Sequence, residues 1–236
     1  MDYNHNYEGS KMSYNLGIDT VSDNISLAIE DDGLLIVEKS FTVTDTVSHE
    51  LINIIDNFLK SNQVELHDIT GLAVCIGPGN YGPLRAGLSI AQGLALARNL
   101  PIAPINRLEA DAWPFIQSAQ NQQPVISVHD AGRLGLAWGA YNQNNKNEPP
   151  RVIVPASITN LEECAKSAPP NSLWCGELSD ESIKTLLLLG YSSKIEPLKY
   201  MNTRAKSMLE LASVQQSYQD PSGIEALYLQ PPRINR

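Results

Sequence analysis

Between Tyr14 and Val43 three short apolar runs follow one another within about thirty residues, and this crowding constrains the fold more than any other feature of the chain. The first, 14–19, is short and apolar; the second, 25–29, alternates in part; the third, 34–43, carries Leu34, Leu35, Ile36, Val37, Phe41 and Val43. Ser22-Asp23-Asn24 and Asp31-Asp32-Gly33 stand between them, and these residue types close tight turns. Strands joined this tightly make an antiparallel meander.

Helical periodicity then takes over. Leu51, Ile52, Ile54, Ile55, Phe58 and Leu59 fall at helical spacing, with Glu50, Asn53, Asp56, Asn57 and Lys60 opposite; Thr46 and Ser48 are candidate N-caps. A strand is expected at 72–76, followed by a glycine- and proline-rich loop and a helix at 84–98, with Pro83 suited to the first helical position. That helix holds Ala86, Gly87, Ser89, Ala91, Gly93, Ala95 and Ala97. Glycine costs helix stability, so close approach of another backbone best explains it. Further strands are expected at 102–105, 124–128, 134–141, 152–155, 173–175 and 224–229. Further helices are expected at 107–117, 161–166, 181–189 and 205–216, and 142–150 reads as a polar loop. A strand-rich start followed by alternating strand and helix gives an α/β fold with mixed sheets.

Composition narrows the function. In 236 residues, 17 Lys and Arg stand against 26 Asp and Glu, a net charge of −9. That balance argues against broad phosphate-backbone binding by this chain alone. Cys75, Cys164 and Cys175 lie far apart without metal-ligand spacing and read as reduced thiols. No apolar run approaches the ~20 residues a membrane helix needs, so a cytoplasmic location without a membrane partner is expected. Residues 1–13 are polar and rich in Asn and Tyr and read as a disordered extension, with Met12 a candidate start.

Three segments could carry chemistry. Leu16-Gly17-Ile18-Asp19-Thr20 places a carboxylate and a hydroxyl at a strand end, where they serve either a metal-bound phosphate or a turn. Gly77-Pro78-Gly79-Asn80-Tyr81-Gly82-Pro83 before a helix suits either an anion or a tight strand-to-helix turn, and it lacks the Lys and Ser/Thr of a P-loop. Asn106-Arg107-Leu108-Glu109-Ala110-Asp111 is a polar helix start in which Arg107 and Asp111 stand at i, i+4. Asp130 reads as a strand-end turn or as an acidic metal-positioning group. His49, at a helix start near Glu50, reads as a cap, an interface contact or a simply exposed side chain in preference to a catalytic group.

In order and spacing, Ile18-Asp19-Thr20, His49-Glu50-Leu51, residues 73–79, Leu84-Arg85, Gly87, Ala91, Gly93-Leu94, Leu108-Glu109-Ala110, Asp130-Ala131-Gly132-Arg133 and Ala226-Leu227-Tyr228-Leu229 resemble the TsaB (YeaZ) family. The resemblance runs over about 14–232 and is looser after Asn142. It implies an actin-like (ASKHA, ribonuclease H-like) two-lobed fold with mixed β-sheets flanked by helices. The lobes would span 14–106 and 107–236, with the C-terminal helix a candidate to return to the first lobe. The family's usual loop reads Gly-Pro-Gly-Ser-Phe-Thr-Gly-Leu-Arg, and here Asn80, Tyr81, Gly82 and Pro83 fill its four middle places, so two hydroxyls are gone.

The family is a paralogue of TsaD, the catalytic subunit, whose Asn-His-x-x-x-His segment puts two metal-binding histidines one helical turn apart. The matching positions here are Arg107 and Asp111. Arginine has no lone pair to give a metal, and His5, His49, His67 and His129 show no compensating spacing. The resemblance therefore implies a non-enzymatic partner subunit in making threonylcarbamoyladenosine at position 37 of tRNA, with no catalytic residue and no metal. Its partners would be a TsaD-like catalytic subunit and a TsaE-like ATPase, with a homodimer when alone and tRNA reached only through the complex. The expected interface is Leu51, Ile52, Ile55, Leu59, Leu84, Leu88, Ala91 and Ala95. Asp19, Thr20, Gly77 and Gly79 are the candidates for phosphate contact, with no tightly bound cofactor and ATP or ADP at a complex interface. The alternatives are a stand-alone actin-fold ATPase or small-molecule kinase and, disfavoured by the missing histidine pair, a metallopeptidase.

Overall fold

A computed structural model describes residues 13–22, 24–43, 45–119, 122–146, 148–191, 195–197 and 204–229; all but the last residue of the expected N-terminal extension lies outside them. The meander forms as the turns dictate. β1 (Tyr14–Asp19), β2 (Asn24–Asp31) and β3 (Leu34–Thr42) pair antiparallel. After α1 (Val47–Ser61), β4 (Ile69–Gly77) joins β1 in parallel. After α2 (Tyr81–Arg98), β5 (Ile102–Asn106) joins β4, giving the order β3-β2-β1-β4-β5.

The second half repeats this plan. α3 (Arg107–Ser118) leads into β6 (Val125–Asp130), β7 (Leu136–Asn142) and β8 (Arg151–Thr159), an antiparallel meander. α4 (Leu161–Ser167), β9 (Leu173–Gly176), α5 (Asp180–Leu188) and β10 (Ile195–Pro197) follow, and the sheet order is β10-β9-β6-β7-β8. Counted from its own first strand, each sheet has the order 3-2-1-4-5. The chain is thus a topological duplication, the two-lobed actin-like α/β architecture, with no short sequence period to announce it. α6 (Arg204–Gln215) packs back on the first sheet.

Strands β1, β2, β4 and β5 of the first sheet are buried on both faces, while β3 is a partly exposed edge, and strand alternation assigns the faces. Ile25, Leu27 and Ile29 of β2 meet Leu51, Ile55, Phe58 and Leu59 of α1 and Leu88, Ala91 and Ala95 of α2. On the opposite face Ala28, Ala73, Cys75 and Ala103 meet Ala205, Met208, Leu209 and Ala212 of α6. Small residues mark the closest approaches. A Cβ at Gly17 would lie 2.7 Å from the Ala205 carbonyl oxygen, and one at Gly87 would lie 2.0 Å from Thr20 Oγ1. The Thr20 side chain thus accounts for Gly87 in α2, whereas Gly93 faces open space.

Three expectations need correction. Pro83 is the third residue of α2, which begins at Tyr81; the first-turn N–H groups have no intrahelical acceptor, so proline is tolerated there too. Residues 224–229 form no strand: β5 already occupies the edge beside β4, and Ile102 forms an antiparallel bridge with Gln219. Leu51, Ile55, Leu59, Leu84, Leu88, Ala91 and Ala95, expected to face a partner, are buried in the chain's own cores. Their helical spacing is the signature of a stripe packed on the sheet. Of the eight, Ile52 alone is exposed, at 58 %.

Candidate functional site in the cleft between the lobes

The ends of β1, β4, β6 and β9 converge on a cavity of about 800 Å³ lined by both lobes. This is where an open parallel arrangement leaves strand ends and helix starts free to bind ligands. Its floor is a charged network. Arg204, the first residue of α6, donates from Nη1 to Asp19 Oδ2 at 2.6 Å and to Ser22 Oγ at 2.9 Å, and from Nε to Asp111 Oδ1 at 2.7 Å. One guanidinium thereby ties the end of β1 to α3, a bridge suited to arginine's planar fork.

Arg107, fully buried at the start of α3, donates to Ser22 Oγ (3.1 Å), to the carbonyls of Pro78 (3.4 Å) and Val21 (3.5 Å), and to Glu177. Its Nε faces Asp111 Oδ2 at 3.5 Å, the pairing across one turn that the i, i+4 spacing allows, and has no hydrogen-bond partner. Glu177, just after β9, binds His129 Nδ1 through Oε2 at 2.9 Å. Burial pulls the Arg204 pKa down, but the charges of Asp111 and Asp19 outweigh it and hold the pKa above its ordinary value. Burial likewise pushes Glu177 up, but the His129 hydrogen bond and the Arg107 charge prevail and hold it at about 2.

That depression predicts a pH dependence. A carboxyl with a folded pKa below its unfolded value adds stability above about pH 4.5, and the contribution is lost as pH falls toward 2. Glu177→Gln should therefore flatten the acid limb of the stability curve, by about 1–2 kcal/mol after discounting for a side chain 40 % exposed. Urea unfolding at pH 7, 4 and 2.5 measures it, and identical acid limbs in the two proteins would contradict the network.

The four phosphate candidates gather on the first-lobe side of the cleft, and each is engaged within the chain. Asp19 is held by Arg204 and also accepts the Val21 N–H at 3.1 Å. Thr20 donates to the Pro83 carbonyl at 3.0 Å. Gly77 has φ +105° and lies under the Leu227 carbonyl, and Gly79 packs on Val21, whose carbonyl accepts the Asn80 N–H at 3.2 Å. Asp130 Oδ1 accepts the Gly132 N–H at 2.8 Å, the turn reading of that residue. His49 lies outside the cleft, exposed and 2.7 Å from Asp45. Arg204, Glu177 and Ser22 carry no motif that singles them out in the sequence; they join the site only through the fold.

The donor set does not fit a metal. Arg107 cannot ligate one, and the Asp19 and Asp111 carboxylates are already neutralised by a guanidinium. Among the described residues no group of three or more His, Cys, Asp or Glu is placed to hold a metal ion, and no helix is long and apolar enough to cross a membrane.

Comparison with known proteins agrees with this architecture. The family described as "TsaD: tRNA N6-adenosine threonylcarbamoyltransferase" matches residues 43–212. A tRNA N6-adenosine threonylcarbamoyltransferase of Fusobacterium nucleatum is 26 % identical over 55 % of this chain and 43 % of its own length. The tRNA threonylcarbamoyladenosine biosynthesis protein TsaB of Escherichia coli is 29 % identical over 56 % of each. The chain thus spans about half the length of the curated relatives it matches. The solved structure of YeaZ from Pseudomonas aeruginosa shares the fold, with a TM-score of 0.72 at 19 % identity, covering 92 % of this chain and 100 % of that one. The chain belongs to the family described as TsaD, tRNA N6-adenosine threonylcarbamoyltransferase, and within it is similar to the TsaB proteins.

Proposed function

We propose that this chain is a non-catalytic partner subunit in the formation of threonylcarbamoyladenosine on tRNA, and that it docks on a TsaD-like catalytic subunit. The observation that carries the reading is the guanidinium of Arg204 lodged between Asp19 and Asp111, beside Arg107. The positions that match the paralogue's metal-binding histidines are spent on a buried ion network. Such a network holds two lobes in register and ties up the Asp19 and Asp111 carboxylates with guanidinium groups. The chain then contributes shape and contact surface, while a TsaE-like ATPase and ATP or ADP act at interfaces of the larger assembly.

The docking surface is the outer face of α1 and α2, where Ile52 and Leu96 are 58 % and 60 % exposed around Ser89 and Gly93. The same face serves a homodimer when the chain is alone. With a net charge of −9, the chain reaches tRNA through the complex.

A transfer assay with threonylcarbamoyl-adenylate and tRNA tests this. The TsaD-like protein from the same source should be slow alone and accelerated by this chain, and the chain alone should transfer nothing. Transfer by the chain alone would overturn the reading.

A further inference from the structure

Two stretches of the sequence have no role in the network: Leu84-Arg85 in α2 and Ala226-Leu227-Tyr228-Leu229 near the end. The fold brings them together across 143 positions, with Arg85 Nε donating to Tyr228 Oη at 2.7 Å. The Arg85 guanidinium also stacks 4.0 Å from the Tyr81 ring centroid, and the Tyr81 and Tyr228 rings lie 5.8 Å apart. Residues 224–229 have no helix or strand of their own, yet they cross the glycine loop. The Leu227 N–H donates to the Ile76 carbonyl at 2.7 Å, and the Leu227 carbonyl oxygen lies 3.2 Å from where a Cβ of Gly77 would stand. Leu227, Tyr228 and Leu229 also line the cavity. Upstream, Gln92 of α2 donates to the carbonyls of Pro221 and Ile224 at 3.0 and 2.9 Å.

We propose that residues 224–229 are a strap closing the glycine-loop end of the cleft, latched by Arg85 from the exposed side of α2. Ile224 anchors the start of the strap in the first core; beyond it, among the described residues, the Leu227 backbone bond, the packing of Ala226 and the Arg85 contact hold the chain, so 225–229 are among the first parts of the first lobe to open. The anchor residues fit a latch. A planar guanidinium between two tyrosines is rigid and oriented, and it stays reachable from solvent because Arg85 and Tyr81 are exposed. A protein seated on the first turns of α2 would touch Tyr81 and Arg85, draw the guanidinium from Tyr228 and free the strap. The latch stands on these contacts alone; its coupling to a partner rests on the docking reading above.

Hydrogen exchange on the full chain, read by mass spectrometry, tests both. Tyr228→Phe, which deletes only the acceptor, should speed exchange in 76–84 and 224–229 by about threefold, and Arg85→Ala by more, while β2 and α1 keep their wild-type rates. Unchanged exchange in both variants would overturn the latch, as would uniform acceleration of the whole chain. Adding the TsaD-like protein to the wild type should speed exchange in 224–229 while slowing it in α2. Slower or unchanged exchange in 224–229 within a formed complex would overturn the coupling. Absence of any complex would sink the docking reading and the coupling with it, and the latch would stand or fall on the two variants.

Discussion

Arg204→Met will unfold at markedly lower denaturant, losing about 3–5 kcal/mol, the usual consequence of removing one partner of a buried ion pair. Methionine keeps the apolar stem and removes the charge, leaving Asp19, 1 % exposed, without the cation that Arg204 supplies, and Asp111, 4 % exposed, with only the Arg107 contact at 3.5 Å. Packing loss alone at a volume-conserving replacement costs under about 1.5 kcal/mol, so the measured value separates the two causes. Arg204→Lys should fall between wild type and Met. An ammonium restores the charge but lacks the rigid fork with which Arg204 reaches Asp19 and Asp111 together. Urea unfolding at pH 7 gives all three numbers. A loss under about 1.5 kcal/mol for Arg204→Met would mean that the guanidinium does not tie the lobes.

The second large effect concerns the glycine loop. Gly79→Ala should destabilise the chain by about 2–3 kcal/mol through overpacking. The new methyl would lie 2.6 Å from Val21 Cβ and 2.7 Å from the Val21 carbonyl oxygen, and both belong to a segment fixed by Asp19 and Arg107. If the loop served only to admit a phosphate, the variant would keep its stability and lose only ligand binding. Thermal melting of wild type and variant distinguishes these outcomes, and an unchanged melting temperature would contradict the packing account.

The sequence makes the scaffold legible wherever local chemistry decides the structure. The β1–β3 meander follows from its turn residues, α1 from its periodic stripe, and the i, i+4 pairing of Arg107 with Asp111 from helix geometry. Features fixed by distant parts of the chain are not legible. The 224–229 stretch has strand-like composition, but the edge it would need is taken by β5. The apolar positions of α1 and α2 suit a partner and a sheet equally well, and only the fold shows that the sheet covers them. Asp19 stands out in the sequence as a strand-end carboxylate. Its cation comes from 185 positions away, in a helix start that has no motif, so the feature that most changes the meaning of Asp19 is invisible until the lobes close.

The measurement that bears most directly on the partner-subunit account is size-exclusion chromatography with light scattering. It would be run on this chain alone and on a mixture with the TsaD-like protein from its own source. The account predicts a new species with the summed mass of the two proteins at micromolar concentration, weakened by Ile52→Asp on the exposed face of α1. A chain that keeps its own elution position and mass in the mixture would contradict it.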